Sequence, residues 1–255
     1  YPQNDIEIYH LEYDESELPN TSESSIDVSR VWSEKIKEIL PNINRLFSSE
    51  PYGEFVADFL GIEHQSFELN RISFPISATE IRNNPFKNWD LISNASRSYF
   101  VFKVAIVGTE STGKTTLTKK LATHFNTSFA KEMGREIVPK TEECTMDHLH
   151  QIAVKQAEEI KKATAAANKI MFSDTELNIT KSYAQFLFNQ KLIVPDRLEG
   201  INQFDLVLYL ENDAKYTQDG TRLENSRRDE LDQSHRLQFR EQKVIFINGD
   251  WEERF

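Results

Sequence analysis

The sequence predicts an α/β protein in which a parallel sheet of P-loop type carries helices on both faces, preceded by a smaller region of different texture. Three observations predict it. Apolar strand-like runs alternate with helix-like runs over the second half of the chain. The first of these strands runs directly into Gly108-Thr109-Glu110-Ser111-Thr112-Gly113-Lys114-Thr115, a full G-x-x-x-x-G-K-S/T match. A helix-like run opens immediately behind it, and strand, glycine loop and helix in that order are the context that gives such a motif its meaning.

The expected strands are 101–107, 127–131, 169–173, 205–210 and 243–247, and the expected helices about 114–125, 147–167, 178–189 and 228–241. Such alternation implies a parallel sheet with crossover helices. Ligands of these sheets lie beyond the carboxyl ends of the strands, so the residues just after each strand are the ones to inspect. Upstream, an acidic Ser/Asn-rich stretch precedes a helical pattern through Val28, Val31, Trp32, Ile36 and Ile39, which Pro41 stops. A second helix is expected from Tyr52 to Leu60, closed by Gly61. Between 71 and 85 a strand-like run passes into a short helix that Pro85 ends, and the polar stretch 93–98 reads as a linker.

Composition bounds the function. The chain has 255 residues, enough for one large domain or two small ones, and 38% hydrophobic content with 17 Phe supports packed cores. A net charge of −11 argues against a general nucleic-acid binder, which would carry a basic stripe. The single cysteine, Cys144, excludes an internal disulfide and a cysteine-cluster metal site, and an isolated thiol fits a reducing, cytoplasmic setting. No apolar run approaches the roughly 20 residues of a bilayer span, and no signal-peptide pattern is visible.

The phosphate loop explains its own spacing. Gly108 and Gly113 let the backbone wrap so that the N–H groups of Glu110, Ser111, Thr112, Thr115 and Thr116 approach phosphate oxygens at a positive helix end. Lys114 supplies a mobile charge for the outer phosphates of a nucleoside triphosphate such as ATP, and the Thr115 hydroxyl can complete a Mg2+ shell. Glu110 is an oddity inside such a cradle. It would repel phosphate if it faced inward, so it is expected to point away, toward an acceptor substrate.

Three further stretches follow strand ends. Asp174, in Phe172-Ser173-Asp174-Thr175-Glu176, stands where Mg2+ or its water is held, with a helix N-cap as the alternative. Glu132, in Lys131-Glu132-Met133-Gly134-Arg135-Glu136, is placed to accept the proton of an attacking hydroxyl or simply to make a surface ion pair. The run Asp219-Gly220-Thr221-Arg222 followed by Arg227-Arg228 reads as a mobile lid whose arginines stabilise a transferring phosphoryl, or as a solvated charge run. His148 and His150, two apart on a helix, face different sides and do not pair as metal ligands.

Together these residues resemble a family. GTESTGKT, FSDTE and DGTR are similar to the ribosylnicotinamide kinase domain of NadR-like bifunctional proteins, and Ile76-Ser77-Ala78-Thr79-Glu80-Ile81-Arg82 resembles the I-S-x-T-x-I-R signature of nucleotidyltransferases. The stretch from Asn84-Pro85 to Trp89, then Tyr99-Phe100-Val101, resembles the family's domain junction. The resemblance implies a P-loop kinase domain at 99–255 and, at 1–98, a partial Rossmann-like nucleotidyltransferase domain. It implies transfer of the ATP γ-phosphoryl to nicotinamide riboside, giving nicotinamide mononucleotide, and in the other half adenylylation of that mononucleotide to NAD. On this sequence Lys114 and Thr115 would hold phosphate and Mg2+, Asp174 would complete the metal site, and Glu132 would meet the ribose hydroxyl. Arg222 and one of Arg227 or Arg228 would close over the phosphates, and Tyr183 would line the nicotinamide pocket or serve as a core aromatic. Ser77, Thr79 and Arg82 would hold the triphosphate of the upstream half. One departure stands out: the H-x-G-H motif of such nucleotidyltransferases is missing from the sequence, so the family's first strand and its turn are expected upstream of Tyr1. The end from Gly249 to Phe255 reads as the opening of a further helix, and the helix-turn-helix domain of some relatives has no counterpart.

Overall fold

A computed structural model describes residues 7, 9–14, 16–19, 25–70, 72–73, 75–138, 141–213 and 225–255. The chain forms two compact units, Tyr1–Ala78 and Thr79–Phe255.

In the first unit, α1 (Ile26–Ile39) starts where the Ser25 hydroxyl accepts the Val28 N–H, a side-chain N-cap. Strand β1 (Arg45–Ser48), α2 (Tyr52–Leu60) and β2 (Glu63–Ser66) form a β-α-β crossover with β1 and β2 parallel, Arg45 opposite Glu63. Gly61 ends α2 at φ 69°, a left-handed C-cap. The Ser33 hydroxyl, buried, donates to the Val56 carbonyl and stitches α1 to α2. The two strands are absent from the sequence reading, because RLFS and EHQS are too short and too exposed to show a period of two.

Helix α3 (Ala78–Asn83) begins on the last residue of the first unit and runs into the second, where α4 (Asn94–Arg97) follows. The described residues of the strand-like run before α3 form no strand. The polar stretch at 93–98 is not a loose linker but short helical turns pinned on both sides. Trp89, Ile92 and Val101 are buried in one cluster with Ala130, Ile160, Ala163 and Met171. Sequence texture places the change of region near residue 98, whereas the compact units divide at Ala78/Thr79.

Then follow β3 (Phe102–Val107), α5 (Lys114–His124), β4 (Phe129–Ala130), α6 (Gly134–Ile137), α7 (Met146–Ala166), β5 (Ile170–Asp174), α8 (Leu177–Phe188), α9 (Asp196–Ile201), β6 (Leu206–Leu210), α10 (Asn225–Gln238) and β7 (Val244–Ile247). The five strands make one parallel sheet in the order β4-β5-β3-β6-β7. β3 is central and fully buried from Val104 to Val107, which explains its unbroken apolar run. The chain first winds to one side of β3 and later to the other, so a crevice opens beyond the carboxyl ends of β3, β5 and β6. α7 is N-capped by Thr145 and buries Leu149, Ile152, Ala153, Ala157, Ile160 and Ala163 at helical spacing. Among the described residues no helix is long and apolar enough to cross a membrane.

Candidate active site

The glycine loop is held in a compact ring of hydrogen bonds. Its backbone turns through positive φ at Gly108 (139°), Ser111 (61°) and Gly113 (89°). The Thr112 hydroxyl and the Lys114 ammonium both donate to the Thr109 carbonyl, at 2.9 and 2.8 Å. Lys114 is thus folded back over its own loop, in reach of an anion seated in it. The Thr109 hydroxyl bonds Asn212, just past β6.

At the carboxyl end of β5 the Thr115 hydroxyl donates to Asp174 Oδ2 at 2.5 Å. The other carboxylate oxygen, Oδ1, is buried and has no hydrogen-bond partner among the described residues. Burial, then the neighbouring Glu132 carboxylate, pushes Asp174 up to about 6 against the opposing pull of Lys114. The next residue, Thr175, holds φ at 80°, a costly value for a β-branched side chain. The Ser173 hydroxyl donates to the Thr175 carbonyl at 2.7 Å and helps fix that strained turn. Asp174 therefore does not cap α8; that cap is Glu176, which accepts the Asn178 N–H at 2.8 Å and is pushed up to about 7 by burial.

Beside the loop lies an open cleft whose lining includes Gly108, Glu110, Lys114, Glu132, Thr175 and Tyr183. Its apolar walls come from Val138, Leu149, Ile152 and Ile179. Glu110 lines this cleft, and its Oε1 accepts from the Tyr183 and Thr141 hydroxyls, each at 3.2 Å. Burial, with Glu110 and Glu132 nearby, holds the Tyr183 phenol well above its ordinary value, so it stays a neutral donor. Glu132 lies 3.6 Å from Arg135. Its loop is set by buried Gln156 on α7, whose amide oxygen accepts the Met133 N–H at 3.0 Å.

The structure thus brings Gly108, Glu110, Lys114 and Glu132 around one cleft, with Thr115 and Asp174 joined at its edge. Ser111 and Thr112 complete the loop, and Thr116 is exposed on the first turn of α5. Arg222 lies outside the described residues. Arg228 is buried on α10, while Arg227 stacks over Phe186 at 4.8 Å. Thr79 and Arg82 are exposed around α3, where Arg82 Nη2 donates to the Thr79 hydroxyl at 3.5 Å, and Ser77 precedes that helix.

Sequence reasoning missed Arg254. Its guanidinium is buried and donates to the Thr112 carbonyl at 2.7 Å, to the Gly249 carbonyl at 2.8 Å and to the Asp213 carboxylate. The end of the chain, a turn rather than a helix, thereby clasps the phosphate loop, and Trp251 covers Gly113. No local pattern marks an arginine for such a contact 142 residues away in sequence.

A glycine loop between a central parallel strand and a helix, with an acid at the end of the adjoining strand, defines the P-loop kinase-type fold. Residues 103–254 match the family model described as AAA domain, and the chain belongs to that family and within it is NadR-like. It is 34% identical over 204 residues to "Trifunctional NAD biosynthesis/regulator protein NadR" of Escherichia coli (strain K12), covering 75% of this chain and 49% of the relative. The chain thus spans about half the length of that curated relative. A solved NadR protein in complex with NR superposes with a TM-score of 0.67 at 24% identity, covering 86% of this chain and 69% of the other. A NadR protein in complex with NAD and AMP-PNP superposes with a TM-score of 0.65 at 22% identity, covering 92% and 71%. At these identities the two structures attest the fold.

Proposed function

We propose that this chain transfers the γ-phosphoryl of ATP to the 5′-hydroxyl of nicotinamide riboside, giving nicotinamide mononucleotide for NAD salvage. The observation that carries the reading is the Thr115–Asp174 contact next to a cleft lined by Lys114, Glu132, Thr175 and Tyr183. The resemblance to NadR supplies the substrate class. A solved relative binds NR and another binds NAD with AMP-PNP.

The donor set fits a magnesium ion. A buried carboxylate oxygen with no partner among the described residues, beside a hydroxyl on the other oxygen, is an oxygen-rich site of the kind that hard cations take. Bound there, Mg2+ would neutralise charge on the phosphates. Lys114 leaves the Thr109 carbonyl for the outer phosphates, and the loop N–H groups bind their oxygens. Glu132 accepts the proton of the riboside 5′-hydroxyl, held in place by the Gln156-anchored loop. Arg222 and Arg228, from the lid-like stretch and α10, are the cations assigned to close over the transferring group. The upstream residues 1–98 are assigned as the C-terminal part of a nicotinamide-nucleotide adenylyltransferase half, with Ser77, Thr79 and Arg82 in its triphosphate site.

A product assay with ATP, Mg2+ and a panel of ribosides tests this reading. Nicotinamide mononucleotide is the expected product. Phosphorylation of thymidine or another neutral nucleoside in its place assigns the chain to a different nucleoside kinase class. Nucleotide binding with no phosphorylated product from any riboside marks a sensor without turnover.

A further inference from the structure

Glu110 sits where a phosphate loop has least use for an acid. It lines the cleft beside the loop, and its carboxylate is steadied by hydroxyls from two separate elements, Tyr183 on α8 and Thr141. The cleft around it has walls of Val138, Leu149, Ile152 and Ile179, which keep the local dielectric low and lengthen the reach of a charge. Among the described residues, the charged groups that line it are Glu110, Glu132, Lys114 and Arg135. Thr175, buried with no hydrogen-bond partner for its hydroxyl among the described residues, is a further polar group at the same cleft. The ring of Tyr183 offers an aromatic surface beside the carboxylate, a combination that favours a flat cation.

We propose that Glu110 makes the acceptor cleft selective for ribosides whose base carries a fixed positive charge, as a pyridinium does, over neutral nucleosides of the same size. The inference rests on the reading of this cleft as a riboside site. It assigns to a loop residue a role in choosing the acceptor, separate from the phosphate binding done by its neighbours.

The test compares kcat/KM for nicotinamide riboside and for its neutral dihydropyridine form, which differs by two electrons and a proton and has nearly the same shape. Wild type is expected to favour the cation by roughly tenfold or more. Glu110→Gln is expected to bring the ratio of the two close to one, and Glu110→Asp to retain most of the preference. An unchanged ratio in Glu110→Gln, or an equal collapse in both variants, overturns the proposal. Should Glu110→Gln fail to fold, Glu110→Asn serves as the second neutral variant, with the same collapse of the ratio expected and an unchanged ratio overturning the proposal. If wild type phosphorylates neither riboside yet accepts a neutral purine or pyrimidine nucleoside, the functional reading itself fails. That outcome is distinct from turnover of both forms without charge preference.

Discussion

The Thr115 hydroxyl donates to Asp174 at 2.5 Å, joining the first turn of the helix behind the phosphate loop to the end of the neighbouring strand. Asp174 is buried, and burial raises its carboxyl to about 6, so the fold gains nothing from its charge. Asp174→Asn is therefore expected to unfold at the same or a slightly higher temperature at neutral pH, while turnover falls by roughly a hundredfold or more. Thermal unfolding and initial rates on one preparation check both halves. A marked loss of stability with turnover preserved places Asp174 in the scaffold.

Gly113 is expected to tolerate no side chain. Its φ is 89°, and an added Cβ would fall 1.9 Å from Cη2 of Trp251. Gly113→Ala should lose roughly 1–3 kcal/mol from the backbone conformation alone, with weaker nucleotide binding. Adding Trp251→Ala relieves the clash but leaves the φ strain, so the double variant should recover only part of the stability. Full recovery would show that the strain is unimportant.

Arg254 holds the Thr112 carbonyl, the Gly249 carbonyl and the Asp213 carboxylate from a buried position. Arg254→Ala leaves these acceptors without their shared donor and should cost about 2–4 kcal/mol in denaturant unfolding. Arg254→Lys, with one point charge for a planar fork, should restore less than half. An effect below about 0.5 kcal/mol, the range of an ordinary surface change, contradicts the clasp.

His235 gives a pH prediction. Burial, then the charge of Lys114, brings its imidazole down from 6.5 to about 3, while Nδ1 bonds the Ser182 hydroxyl at 2.8 Å. The folded value lies below the unfolded one, so the unfolded chain takes up the proton first as the pH falls. The stability this group contributes is fully present above pH ~6.5 and is lost toward pH ~3, with a limiting slope of about 1.4 kcal/mol per unit. Between pH ~6.5 and ~5, wild type should lose roughly 1.5 kcal/mol more than His235→Gln. Parallel stability curves for the two proteins contradict it.

Much of the second unit is legible in the sequence because its signals are local. The apolar run before Gly108, the loop motif and the helix behind it need no tertiary context, and the structure places β3 and α5 within a residue of expectation. Elements that depend on distant packing are not legible. The stretch at 93–98 is polar, yet Trp89, Ile92 and Val101 pin its flanks into a core formed with residues from α7 and β5. β1 and β2 are four-residue strands that stand because they pair across α2, not because their side chains alternate. At the site, Lys114, Thr115 and Asp174 announce themselves by motif and by position at strand ends. Gln156 and Arg254 act through single hydrogen bonds to remote backbone, which leave no trace in local sequence.

The central claim is that the cleft beside Lys114 delivers the γ-phosphoryl of ATP to a riboside hydroxyl. Its most direct test is a transfer experiment with γ-labelled ATP, Mg2+ and nicotinamide riboside, run on wild type and Lys114→Ala. The account predicts label in the 5′-phosphate of nicotinamide mononucleotide for wild type and none for the folded variant. Label found solely in inorganic phosphate, or mononucleotide formed equally well without Lys114, would contradict it.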